Sequence, residues 1–186
     1  DMERCMELAR LLHKSGISVN HRFDLRERIH FYEQLCLSHG GIPFEDYQTV
    51  RSWMQELLDQ LDRLHRPQVL AHVDLNADNV LILENGDARL LDWEYAGMAD
   101  PILDVAMCSI YSYYSFEQAE SLLEMYLQRK PSQEECFVLT AYMALSGFLW
   151  SLWAVYKSEL GEEFGEYTII MYRYGKNGYR RLSRKL

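Results

Sequence analysis

The sequence contains no Cys-x-x-Cys pair, no Walker-type glycine-rich phosphate loop and no internal repeat. Its main body carries no basic surface run. Each absence removes a class of protein. The formal net charge is −9, and six basic residues crowd after Tyr172 with no acid among them. The body ahead of that tail is therefore strongly acidic, the reverse of what a nucleic-acid surface requires. The basic tail reads as a solvated helix end favoured by the helix dipole. Four cysteines, Cys5, Cys36, Cys108 and Cys136, have no local histidine partners, which excludes a zinc ribbon. Each sits in an apolar, helix-like stretch, so buried free thiols in a reducing cytoplasm are expected. The first residues show no secretory pattern. The chain opens on Asp1 rather than Met, so a truncated beginning is expected. With 48% hydrophobic and 25% charged residues, the composition is that of a folded domain rather than a disordered one.

What is present is mostly helical periodicity. Apolar residues recur at 3.6-residue spacing over 3–13, over 24–38 (Leu25, Ile29, Tyr32, Leu35, Cys36) and over 44–64 (Val50, Trp53, Met54, Leu57, Leu58, Leu61). Pro67 ends the third run. A long helix is predicted from Ser132, with Ser132 and Glu135 as a capping box and Leu160-Gly161 as its end. No charge interrupts Cys136 to Tyr156, so a membrane span has to be weighed. Polar residues within it, and Trp150 and Trp153 on one face rather than at both ends, favour a buried helix of a soluble protein.

Between these helices, Val80–Leu83 and Ala88–Trp93 flank Glu84-Asn85-Gly86-Asp87, a hairpin pattern. Taking Asn85-Gly86 as a two-residue loop pairs Glu84 with Asp87. It also sets Asn79 opposite Asp92, with Cβ atoms about 5 Å apart, close enough for both to hold one Mg²⁺. Immediately upstream runs His72-Val73-Asp74-Leu75-Asn76-Ala77-Asp78-Asn79. His-x-Asp, Asn five residues after the Asp, and an Asp at the next strand's end supply what phosphoryl transfer needs. One carboxylate takes the hydroxyl proton, and an amide and a second carboxylate serve the metal on the nucleotide phosphates. The bland alternative is an Asp/Asn-rich turn beside a hairpin carboxylate.

His72–Asn79, Leu91-Asp92-Trp93-Glu94-Tyr95-Ala96-Gly97, and Asp100-Pro101 followed by Asp104 resemble choline kinases of the bacterial LicA type and their aminoglycoside phosphotransferase relatives. The resemblance spans essentially the whole chain and implies the mainly helical C-terminal lobe of a protein-kinase-like fold, α+β overall, with a small catalytic hairpin. It implies Asp74 as catalytic base, Asn79 and Asp92 as Mg²⁺ ligands, His72 as support of the catalytic loop and Asp104 as its anchor. ATP is the implied donor. Two departures stand out: Val73 and Ala77-Asp78 replace the Asn or Gly and the Pro-Gly of many relatives. The sequence also has no strand Lys in a Val-Ala-x-Lys setting. The expectation is one lobe over 1–186, with the N-terminal nucleotide lobe of the same polypeptide outside it and little activity without that lobe.

The acceptor is read from aromatics. A trimethylammonium has no N–H to donate and is best held by ring faces. Phe148-Leu149-Trp150-Ser151-Leu152-Trp153 resembles the paired-Trp helix of choline kinases, which implies choline held by Trp150 and Trp153, with Tyr111 and Tyr167 as further walls. An aromatic stripe in the core is the competing reading. So are an aminoglycoside or other amino-alcohol kinase, and an idle lobe that only binds. No nucleic acid and no membrane are expected as partners, and the location is expected to be cytoplasmic.

Overall fold

The computed structural model describes residues 2–184; Asp1, the tail residue Lys185 and Leu186 lie outside the described residues. The elements in order are α1 (Met2–His13), α2 (Leu25–Ser38), α3 (Tyr47–Asp62), β1 (Val69–Ala71), a 3₁₀ turn (Ala77–Asn79), β2 (Val80–Ile82), β3 (Ala88–Leu90), β4 (Gly97–Ala99), α4 (Ile102–Tyr111), α5 (Phe116–Leu127), α6 (Gln133–Glu159) and α7 (Tyr167–Ser183). They gather into two compact units. Unit 1 comprises residues up to Phe23 together with Arg66–Tyr142, and unit 2 comprises Asp24–His65 with Met143 onward.

Unit 1 is organised around α4, whose residues from Ile102 to Ile110 are all buried. Around it lie α1, α5 and two antiparallel strand pairs. The first pairs β1 with β4 (Leu70 opposite Met98), two three-residue strands distant in sequence that periodicity cannot reveal. The second pairs β2 with β3 (Leu81 opposite Arg89). This second register differs from the expected one. Val80 faces Leu90, so Asn79 lies opposite Leu91 and not Asp92. The cause is the turn. An Asn-Gly loop of the expected type needs positive φ at both central residues. Here Gly86 alone is left-handed, with φ +85, and Asn85 is not among the non-glycine residues with positive φ. The Gly86 amide bonds the Leu83 carbonyl at 3.0 Å or less (2.9 Å), and Asn85 Oδ1 accepts from the Asp87 amide at 3.0 Å. The loop thus holds three residues, a turn followed by a glycine bulge.

Unit 2 is built from α2, α3, α7 and the remainder of α6. Asp24 starts α2 by accepting from the amides of Arg26 and Glu27. Ile29, Tyr32 and Cys36 then fall on its buried face. The inward row of α3 is Val50, Met54, Leu57, Leu58 and Leu61. Helix α6 begins with the expected capping box: Ser132 Oγ accepts the Glu135 amide at 3.2 Å, and Glu135 Oε2 accepts the Ser132 amide at 2.8 Å. It ends at the expected glycine, Gly161, with φ +92. α6 and α7 approach closely at Gly147, where a Cβ would stand 2.5 Å from Tyr174 Cβ. α6 is long and apolar enough to cross a membrane, yet 89% of its most apolar window is buried within the fold. None of the four cysteines forms a disulfide; Cys136 is only half-buried, unlike the other three.

Candidate active site

The loop after β1 is held from below by one carboxylate. Asp104, fully buried on α4, accepts the His72 amide at 2.9 Å through Oδ2 and the Val73 amide at 2.7 Å through Oδ1. This bears out the anchoring role expected for it. Between those bonds the backbone takes an unusual turn: Val73 has φ +70. That conformation costs a β-branched residue about 1–2 kcal/mol. Charge-assisted hydrogen bonds of roughly 1.5–3 kcal/mol each offset it. Asn and Gly enter the left-handed region most readily, so a valine is an unusual occupant of this position. Val73 and Leu75 are both fully buried, and the half-buried Asp74 stands between them. That alternation turns the Asp74 side chain away from the core.

Asp74 is fixed by two amides. Asn79 Nδ2 donates to Asp74 Oδ2 at 2.7 Å and to the Asp74 carbonyl at 2.9 Å. Asn76 Nδ2 reaches Asp74 Oδ1 at 3.3 Å. Asn76 Oδ1 also caps the 3₁₀ turn, accepting from the Asp78 and Asn79 amides at 2.9 and 3.1 Å. Sequence reading passed over Asn76, although an Asn directly before a short turn is a legible cap.

The loop is joined to the β2–β3 hairpin through Leu91. The Leu91 amide donates to the Asn79 carbonyl at 2.9 Å, and its own carbonyl accepts from His72 Nε2 at 2.7 Å. A carbonyl only accepts, so Nε2 carries the proton and Nδ1 is a bare acceptor, buried and without a hydrogen-bond partner. The His72 ring lies 4.8 Å from that of Trp93. Asp92, between Leu91 and Trp93, leaves the ladder with φ +57 and is exposed.

Beneath the loop is a residue that sequence reading missed. His13, at the end of α1, places Nε2 2.9 Å from Asp104 Oδ2 and Nδ1 2.8 Å from the Tyr126 hydroxyl. Burial pushes the Tyr126 hydroxyl up to about 12. Nearby, Asp100 accepts from Arg66 Nε at 2.7 Å and from the Ile102 amide at 2.9 Å, securing the start of α4.

The donor set suits Mg²⁺ in part. Asn79 spends its Nδ2 on Asp74, which leaves its amide oxygen, and Asp92 offers an exposed carboxylate; both are hard oxygen donors. Among the described residues there is no group of three or more His, Cys, Asp or Glu able to hold a metal ion. Such a sparse set fits a cation that takes its remaining ligands from substrate phosphates and water.

The aromatic residues expected to hold the acceptor fall in different places. Tyr111 is half-buried at the end of α4 in unit 1. In unit 2, Trp150 is only 3% exposed, and Trp153 is half-buried and meets it edge-on at 6.0 Å. Phe164 packs on Trp153 at 5.0 Å and lies 6.2 Å from Tyr167. Phe164 was not expected, because it lies in a loop outside any helical stripe. Lys157 Nζ already sits 5.8 Å from the Trp153 ring centroid and pairs with Glu162 at 2.8 Å. Next to this cluster is a recess of about 460 Å³ lined by Ser158, Glu162, Glu163, Phe164 and Thr168.

A helical fold with two short antiparallel strand pairs, an amide-clamped Asp on a loop and an Asn leading into the next strand define a kinase-like phosphotransferase architecture. Residues 3–136 match the phosphotransferase enzyme family, APH, and the chain belongs to that family. Protein LicA of Haemophilus influenzae is 31% identical over 118 residues, covering 59% of this chain and 44% of the relative. The crystal structure of choline kinase LicA from Streptococcus pneumoniae superposes with a TM-score of 0.83 at 30% identity, covering 97% of this chain and 63% of that one. A structure of LicA in complex with AMP gives 0.85 at 30% identity, covering 97% and 62%. This chain thus spans less than half of that curated relative and under two thirds of the solved chains.

Proposed function

We propose that this chain is the catalytic and acceptor-binding part of an ATP-dependent kinase that phosphorylates the hydroxyl of choline. The observation that carries the proposal is the clamp of Asn79 on Asp74, 2.7 Å long, in a loop pinned by Asp104. Asp74 accepts the proton of the attacking hydroxyl. Asn76 and Asn79 fix the direction of its lone pairs, and His72 holds the loop to the hairpin as a positioning residue. Asn79 and Asp92 are the residues that would hold Mg²⁺, which supplies charge neutralisation on the transferring phosphoryl group. Nucleotide gripping calls for residues outside this chain, whose sequence has no glycine-rich loop or strand Lys. The 186-residue chain alone therefore turns over negligibly.

The acceptor's cationic head is assigned to the rings of Trp153, Phe164 and Tyr167, with Trp150 supporting Trp153 from behind and Tyr111 as a separate wall. That several rings cluster beside an acidic recess supports a cation. The carboxylates of Glu162 and Glu163 there also suit a polyamine, so an aminoglycoside acceptor is the second reading. The chain is further proposed to work in the cytoplasm without a membrane span.

The test is a panel of choline, ethanolamine and aminoglycosides with Mg-ATP and the full-length enzyme. Asp74→Asn is expected to lower kcat about 10²–10⁴-fold. Trp153→Ala should raise the choline KM about tenfold and leave that for ATP unchanged. Preference for an aminoglycoside would overturn the choline assignment. Full turnover by Asp74→Asn would overturn the kinase reading itself.

A further inference from the structure

Three sulfur atoms meet where α1 packs on α4, away from the reacting loop. Cys5 Sγ and Cys108 Sγ are 4.0 Å apart, and Cys108 Sγ is 3.6 Å from Met2 Sδ. The two cysteines are separated by 103 positions in the chain, and both are buried, at 5% and 1% exposure. We propose that Cys5 and Cys108 are a redox pair that peroxide converts to a disulfide, fastening α1 to α4.

The geometry favours this pair over any other. Among the described residues Cys36 donates instead to the Leu152 carbonyl at 3.2 Å, within unit 2. Bringing two sulfurs from 4.0 Å to a bond of about 2 Å is within the reach of side-chain rotation on packed helices. The two thiols also differ in a useful way. The contact between the two sulfurs lowers the Cys5 thiol from its ordinary value, and the same contact together with burial raises that of Cys108. Cys5, the more exposed of the two at 5% against 1%, is the attacking sulfur and Cys108 the resolving one.

The steps balance with hydrogen peroxide as the oxidant. The Cys5 thiolate attacks one peroxide oxygen; an S–O bond forms, the O–O bond breaks, and the departing hydroxide takes up the proton Cys5 released. The Cys108 sulfur then attacks Cys5 Sγ. The S–S bond forms, the S–O bond breaks, and hydroxide leaves with the Cys108 proton as a second water. Two thiols lose two electrons, and peroxide is reduced to two waters.

The linkage matters for the site because Asp104 stands one helical turn before Cys108, and His13 on α1 binds Asp104 at 2.9 Å. A covalent tie between the same two helices fixes the support from which the loop amides hang.

The inference does not depend on the phosphotransfer reading, and its readout is mass rather than activity. The full-length protein is reduced, exposed to hydrogen peroxide while folded, blocked with an alkylating agent and digested with trypsin without reductant. The tryptic peptide Cys5–Arg10 should appear joined to Leu90–Arg129, two hydrogens lighter than the reduced pair, and separate on reduction. The product should persist in a Cys36→Ser, Cys136→Ser double variant. In Cys108→Ser, a dimedone adduct should appear on Cys5. Recovery of both peptides unlinked, with Cys136 or Met2 oxidised first, would overturn the proposal. Should either variant fail to fold, the peptide map of the unaltered protein decides alone.

Discussion

The two units solve the same problem, reversing the chain direction, with different sets of residues. In unit 2 the left-handed turns fall on glycines, at Gly40, Gly41, Gly161 and Gly165. In unit 1 glycines do so at Gly16 and Gly86, but non-glycine residues take that conformation as well, at Val73, Asp92, Tyr113 and Gln128. The interiors differ in parallel. Every buried charged or imidazole side chain among the described residues, His13, His72, Asp100 and Asp104, lies in unit 1, whereas the buried polar residues of unit 2 are Ser146 and Ser151. Unit 2 gains cohesion from ring stacks such as Phe44 on Tyr172 at 3.7 Å and Trp53 on Tyr179 at 4.8 Å. Strained backbone persists only where its surroundings over-determine it. Unit 1 supplies that surrounding with buried polar bonds, and its His72–Asn79 loop is the part so held.

Substitution at Asp104 is the most severe way to break this contrast. Asp104→Ala strands the His72 and Val73 amides and removes the partner of His13, and should cost about 3–5 kcal/mol in denaturant unfolding. A loss under about 1 kcal/mol would mean that the polar frame does not hold the loop. The matching insult to unit 2 is steric. Gly147→Ala places a methyl 2.5 Å from Tyr174 Cβ and 2.7 Å from the Met171 carbonyl, and should cost about 1–3 kcal/mol by the same measurement.

The smallest effect is the sharpest in sign. At most positions Gly is less stable than Ala by roughly 0.5–1 kcal/mol. At Val73, with φ +70, that order should invert, Val73→Gly being more stable than Val73→Ala by about 1 kcal/mol. Matched thermal unfolding of the two variants checks it. The ordinary order would show that the left-handed turn is absent in solution.

Local signals were legible in the sequence, and distant ones were not. The helices, the Ser132–Glu135 capping box and the Gly161 stop followed from residues within a few positions of one another. So did the proximity of Asp74 and Asn79, five residues apart. The hairpin was read one residue out of register because Asn-Gly fits two loop geometries, and only the conformation of Asn85 separates them. His13 gave no sign of itself, since its partner Asp104 lies 91 positions away. Val73 was noticed only as a departure from what relatives carry; its left-handed backbone turns that oddity into a testable strain. The aromatic row on α6 was visible, but burial sorts it, leaving Trp153 half-exposed and Trp150 inside.

The way the units interleave in the chain sets an order in time. Unit 2 is interrupted after His65 and resumes at Met143. During synthesis α2 and α3 leave the ribosome with their apolar faces, Ile29, Val50, Met54 and Leu57 among them, before α7 and the later part of α6 exist. At ≈5–20 residues per second, that wait is roughly 4–16 s. The nascent protein must therefore carry a half-built aliphatic core through the translation of Arg66–Tyr142, the larger part of unit 1. That interval, rather than the finished fold, is when the chain most needs a chaperone.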